Sequence, residues 1–201
     1  MKKNSKLVLL GATLSVTAGV GLFGASVNAD EVINAGKYTE NVQQLQKIFT
    51  DKNKNFTLEK IKVENNKDNS QEPIYKLEGF DSKKNKEAEM KVNADKTSDV
   101  LKNKTERMDS EDKKEATALN ADNVKKTPED AINLAKKYAN TQDNATEWSL
   151  STEKVKGKEV PVYKVEFEKK TSSASDKTKT TKVKLNAETG DKISVKTEND
   201  D

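Results

Sequence analysis

The sequence predicts an α+β protein made of two tandem α-β-β-β modules, each an antiparallel sheet packed over one helix, behind a cleavable leader. Three observations carry that expectation. The stretch VPVYKVEFE (160–168) restates EPIYKLEGF (72–80) 88 positions further on. The segments around both copies alternate apolar and polar residues, the period of a half-buried strand. Each copy also follows an apolar stripe at helical spacing.

The first element is the leader. Lys2, Lys3 and Lys6 precede an uncharged run over 7–23, and Val27-Asn28-Ala29 sets small or modest side chains before Asp30. That order of basic, apolar and small-residue regions is a secretory signal peptide, with cleavage expected between Ala29 and Asp30. No membrane span is expected after cleavage. With no Cys after the apolar run and no sorting sequence near the C-terminus, free secretion or loose surface retention is the expected fate.

A helix follows in each module. Val42, Leu45, Ile48 and Phe49 share a face behind Thr39-Glu40, and Ala131, Leu134, Ala135 and Tyr138 do so behind Thr127-Pro128-Glu129-Asp130. The second start has a capping Thr, a Pro at the first helical position and acids in the first turn. Ile61 with Val63, and Trp148 with Leu150, mark a short strand after each helix. In the repeated strand Pro161, Tyr163, Val165 and Phe167 fall on one side, and Val162, Lys164, Glu166 and Glu168 on the other. Pro161 stands at the strand start, where a missing N–H harms the ladder least. Tyr75 and Tyr163 therefore belong to the apolar face, with the hydroxyl at its rim.

Next, Val183, Leu185 and Ala187 alternate with Lys182, Lys184 and Asn186, and after Glu188-Thr189-Gly190-Asp191 the alternation resumes at Ile193 and Val195. The Thr-Gly-Asp step reads as a hairpin turn. Met90, Val92 and Ala94 repeat this in the first module, but Thr97 replaces the turn Gly, and Lys102, Asn103 and Lys104 suggest a frayed or short last strand. The domain reading is a leader over 1–29, a first module over 38–109, a charged solvated linker over 110–126 and a second module over 127–201. The Ser-, Thr- and Lys-rich connection at 169–181 is expected to be mobile.

Composition limits function. At 35% charged and 32% hydrophobic residues the cores must be thin. Removing the three leader lysines from 37 basic residues leaves 34, against 34 acidic. A neutral chain with one arginine, Arg107, is poorly suited to nucleic acid, and none is expected as a partner. The chain contains no His and no Cys, which excludes a Ser-His-Asp triad, a thiol nucleophile and a His-ligated zinc. The reading is of a protein that is not an enzyme, with no catalytic residue, cofactor or metal site. Asp95, Asp99, Glu188 and Asp191 cluster at the hairpin turns, but they lack the spacing of a hard-cation loop and read as turn chemistry.

The helix, the Tyr-x-Val-x-Phe strand at 163–167, and Asn186-Ala187-Glu188-Thr189-Gly190 together resemble the PepSY domain family, most clearly in the second module. The first module keeps the helix, the Tyr strand and Asn93-Ala94-Asp95. The resemblance implies a sheet wrapped over one helix, secretion or surface display in bacteria, and inhibition or modulation of peptidases; the family includes propeptides of thermolysin-like metallopeptidases. It implies no catalytic residues. The expected partner is a secreted peptidase or an extended peptide, taken up as an added strand on an open sheet edge. The competing expectation is an envelope protein touching anionic wall polymers through a lysine-rich hairpin, with Lys177, Lys179 and Lys182 as contacts beside Lys169 and Lys170.

Overall fold

The computed structural model describes residues 33–66, 72–170 and 178–199. These lie in one unit spanning Glu31–Asp201. The leader, with Ala29 and Asp30, falls outside the described residues, as does Lys177.

Helix α1 (Val42–Lys52) is followed by strands β1 (Phe56–Asn65), β2 (Pro73–Asp81), β3 (Lys86–Asn93) and β4 (Val100–Arg107). A short helix α2 (Asp112–Glu115) then leads to α3 (Pro128–Ala139) and to β5 (Ala145–Val155), β6 (Lys158–Lys170), β7 (Thr178–Asn186) and β8 (Lys192–Asn199). Each half thus has four strands, not the three of an α-β-β-β unit. The eight strands form one antiparallel sheet in the order β4-β3-β2-β1-β5-β6-β7-β8.

Two separate sheets were the sequence expectation; one continuous sheet is the outcome. The halves join where Lys60–Val63 of β1 pairs antiparallel with Ser151–Trp148 of β5. Two four-stranded sheets would each leave a row of unpaired N–H and C=O groups along the first strand, and the seam pairs both rows at once. The strand order makes the halves related by an approximate two-fold passing near Lys62 and Ser149.

The core lies between the sheet and the helices. Trp148 is fully buried at the seam, with Tyr75 and Tyr163 edge-on at 6.3 Å and 6.0 Å between ring centroids. Edge-to-face packing sets the positive ring edge of one aromatic against the negative face of another. The Trp148 indole N–H donates to the Tyr38 carbonyl at 2.8 Å. The tyrosines do equivalent work in the two halves: the Glu40 N–H donates to Tyr75 Oη at 3.0 Å, and Tyr163 Oη–H donates to the Lys126 carbonyl at 3.0 Å. Glu40 and Lys126 each stand one residue before their helix's N-cap, Asn41 and Thr127. The repeated tyrosine therefore pins each helix entrance to the sheet. Its expected place on the apolar face holds.

Both hairpin turns also correspond. The Ala94 and Ala187 N–H groups donate to the Pro73 and Pro161 carbonyls. Asn93 and Asn186 accept two backbone N–H bonds each from the residues that follow. The second turn closes Asn186 on Asp191 with Gly190 at φ +83°, whereas the first closes Asn93 on Asp99, one residue later, and dispenses with the Gly.

Three further expectations are corrected. Strand β4 is not frayed: it pairs with β3 from Lys86↔Arg107 to Val92↔Val100, because backbone pairing at an edge needs no apolar side chains. The first helix, expected behind Thr39-Glu40, starts at Val42 with Asn41 as its cap: Asn41 Oδ1 accepts from the Gln43 and Gln44 N–H groups. The 110–126 segment is a packed strap rather than a solvated linker. It buries Ala116, Leu119, Ala121 and Val124, and its backbone is satisfied from both halves. Leu119 N–H donates to the Leu58 carbonyl, Thr152 Oγ1 to that of Ala118 and Gln43 Nε2 to that of Ala121. Irregular backbone held by tertiary bonds leaves no periodic trace in sequence.

Candidate functional site

The face of the sheet away from the helices is a lattice of lysines and glutamates. Lys76 meets Glu78 at 2.5 Å and Glu89 at 3.0 Å; Lys62 meets Glu64 at 2.7 Å and Glu147 at 2.8 Å, the last across the seam. Burial opposes a charge on Lys76, yet the hydrogen bonds it donates to Glu78 and Glu89, with their charges, outweigh it and hold the ammonium above its ordinary range. Ile74 and Val162 also turn to this face but are buried between cross-strand neighbours, Glu64 with Asn93 and Ser151 with Asn186. Surface pairs of this kind contribute little each, so the lattice reads as a charge-balanced, solvated face.

Beside the helices, a cleft of about 520 Å³ is lined by residues 39–43 and 124–129. Both helix N-termini open onto it, with the Gln43, Gln44 and Asp130 N–H groups already bonded to the caps. Asn41 caps α1; in α3 the Thr127 side chain accepts the Asp130 N–H at 3.1 Å while Asp130 accepts the Thr127 N–H at 3.2 Å, and Pro128 has no N–H. The Lys125 ammonium is spent on the Asp122 carbonyl at 2.6 Å. The cleft therefore offers an anion little.

The remaining feature is a pair of open edges, β4 and β8, each with a strand partner on one side only among the described residues. Each has a bulge at the equivalent place. The register slips between Lys91 and Val92 opposite β4, and between Lys184 and Leu185 opposite β8, leaving Leu101 and Ile193 as the extra residues. The two most exposed large apolar side chains among the described residues lie on these strands, Leu101 at 41% and Val195 at 38%.

Of the sequence-predicted contact lysines, Lys179 and Lys182 lie among the described residues. Lys179 is exposed on β7, opposite Lys169 and Asn199. Lys182, three residues on, lies opposite Glu166 and Lys196 and holds Glu198 at 2.6 Å. The connection itself is shorter than expected, since β6 runs to Lys170 and β7 starts at Thr178. Val195 and Lys196 were not singled out as site residues; the alternation at Ile193 and Val195 shows a strand but carries no sign that nothing pairs beyond it. Among the described residues no group of three or more acidic, His or Cys side chains could hold a metal ion. No helix among them is long and apolar enough to cross a membrane.

A helix over an antiparallel sheet with its Asn-turn hairpin defines a small α+β module. Residues 125–196 match the model of the PepSY family, described as the peptidase propeptide and YPEB domain. The crystal structure of a candidate lipoprotein (CD1622) from Clostridium difficile 630 is similar over 80% of this chain and 95% of its own, with 27% sequence identity and a TM-score of 0.62. No curated protein matches the chain.

Proposed function

We propose that this is a secreted, non-catalytic PepSY protein that binds a peptidase or an extended peptide at or near the bacterial surface and limits proteolysis there. The observation that carries the reading is the PepSY match over 125–196, with strands β7 and β8 at the open end of the sheet. The signal-like leader supports secretion, and the similarity to a candidate lipoprotein supports a surface setting. This sequence has no Cys to carry a lipid, so retention would rest on contacts of the folded domain. Residues 38–109 are taken as a diverged second copy, on the strength of the shared tyrosine tie and Asn turn.

The mechanism is strand addition: a peptide laid along an open edge gains main-chain hydrogen bonds there and is held extended. Titrating a thermolysin-like metallopeptidase, and proteases from the producing organism's medium, with residues 30–201 tests this. Saturable inhibition with the protein left intact is expected. Digestion without inhibition overturns the reading. Salt-sensitive retention on purified cell wall, in its place, would favour the wall-polymer role.

A further inference from the structure

The two open edges are not equivalent. The regular part of β4 beyond its bulge, residues 102–107, carries Lys, Asn, Lys, Thr, Glu and Arg, with no apolar side chain. Its Lys104 is already placed between Glu106 and Glu89, the latter at 3.7 Å. On β8 the regular part, residues 194–199, contains exposed Val195.

Charge also runs out differently at β8. Across the polar face one row of register partners reads Glu147, Glu166, Lys182, Lys196 from the seam to the edge. Two ammonium groups directly opposite each other are unfavourable in a cross-strand pair. Beside them Glu198 bonds Lys182, and that bond with the fields of Lys182 and then Lys196 holds its carboxyl below the usual range. The row thus ends at the edge in two adjacent ammonium groups, the outer one Lys196. Next to it, on the helix side, Val195 lies opposite Val183, with α3 above that end of the sheet.

We infer that β8 is the docking edge, and that its ligand is an extended peptide with an acidic residue placed opposite Lys196 and a β-branched or other apolar residue beside it, opposite Val195. The inference rests on the strand-addition reading above and gives that site a partner class. The acidic side chain continues the alternating row and relieves the Lys182–Lys196 repulsion; the apolar one covers Val195. The same features disfavour a second copy of β8, because an edge lysine and a bulge are devices that hinder self-pairing, while an acid-bearing strand turns the lysine into a contact.

The test uses residues 30–201 and two fluorescein-labelled eight-residue peptides, one alternating valine with glutamate and the other valine with lysine. Binding is read by anisotropy and located by amide shift changes. The glutamate peptide is expected to bind at least about tenfold tighter than the lysine peptide, a difference of ~1.4 kcal/mol, with shifts centred on β8. Lys196→Gln should erase the preference and Lys196→Glu invert it, while Lys102→Glu on the other edge leaves it unchanged. Equal binding of the two peptides, indifference to Lys196→Glu, shifts centred on β4, or concentration-dependent self-association through β8 would each overturn the inference. Glutamate-peptide binding at β8 without any peptidase inhibition would keep the docking edge and dismiss the inhibitory role. Inhibition left unchanged by Lys196→Glu would do the reverse.

Discussion

Tyr75 and Tyr163 show how a single repeated residue organises each half. Burial pushes the Tyr75 phenol up to about 12 from 10.0, and burial, with the Asp130 charge, pushes Tyr163 up as well. The folded state holds these protons more tightly than the unfolded chain does. Their contribution to stability is therefore complete below pH 10 and is lost as pH rises toward and through the folded values. The urea midpoint should stay level up to about pH 10 and fall steeply between about pH 10 and 12, and Tyr163→Phe, which has no phenol to ionise, should fall less steeply. A midpoint level to pH 12, or an equal fall in the variant, would remove the tyrosines from the account. Gly79 is equally specific. A Cβ there would lie 2.3 Å from the Thr57 carbonyl oxygen and 2.7 Å from the Phe49 ring, so Gly79→Ala should cost roughly 1–3 kcal/mol in urea denaturation. The repeat sets Phe167 where the first half has Gly79, so the close approach of α1 at Gly79 has no counterpart in the sequence of the second module.

At the scale of elements, legibility followed how local the determining interaction is. Helix α3 was readable from four consecutive residues because the Thr127–Asp130 capping box closes within them. Thr127→Ala should lower stability by about 1 kcal/mol, as loss of an N-cap typically does, seen as a lower urea midpoint; an unchanged midpoint would mean the Tyr163–Lys126 tie alone sets the helix start. The cap of α1 was not singled out: Asn41, directly after Thr39-Glu40, supplies it. Strand β4 was under-read since periodicity records burial, and six of its eight residues are exposed and the other two half-buried while the backbone pairs with β3. The strap over 110–126 was misread for the opposite reason. Its buried residues are spaced to meet the ends of β1 and β5, not to any helical or strand period.

The seam belongs to the whole molecule, and no short stretch of sequence announces it. Its two strands are about 90 residues apart, yet Trp148 ties them into one core, donating to Tyr38 in the first half and packing against Tyr75 and Tyr163 from both. Cooperativity should therefore extend across the halves. Val165 is fully buried beside Trp148 in the register, and Val165→Asp would place an unpaired carboxylate there at a cost on the order of 3–5 kcal/mol, comparable to the entire stability of a marginal domain. If the sheet is one folding unit, that change should unfold the first half as well as the second. In the unaltered protein, Trp148 fluorescence and amide exchange at Met90 and Val92 in β3 should report a single urea transition; in Val165→Asp, exchange protection of β3 should vanish along with the tryptophan signal. Protection that survives in β3 after the second half has melted would show two modules that merely share an edge.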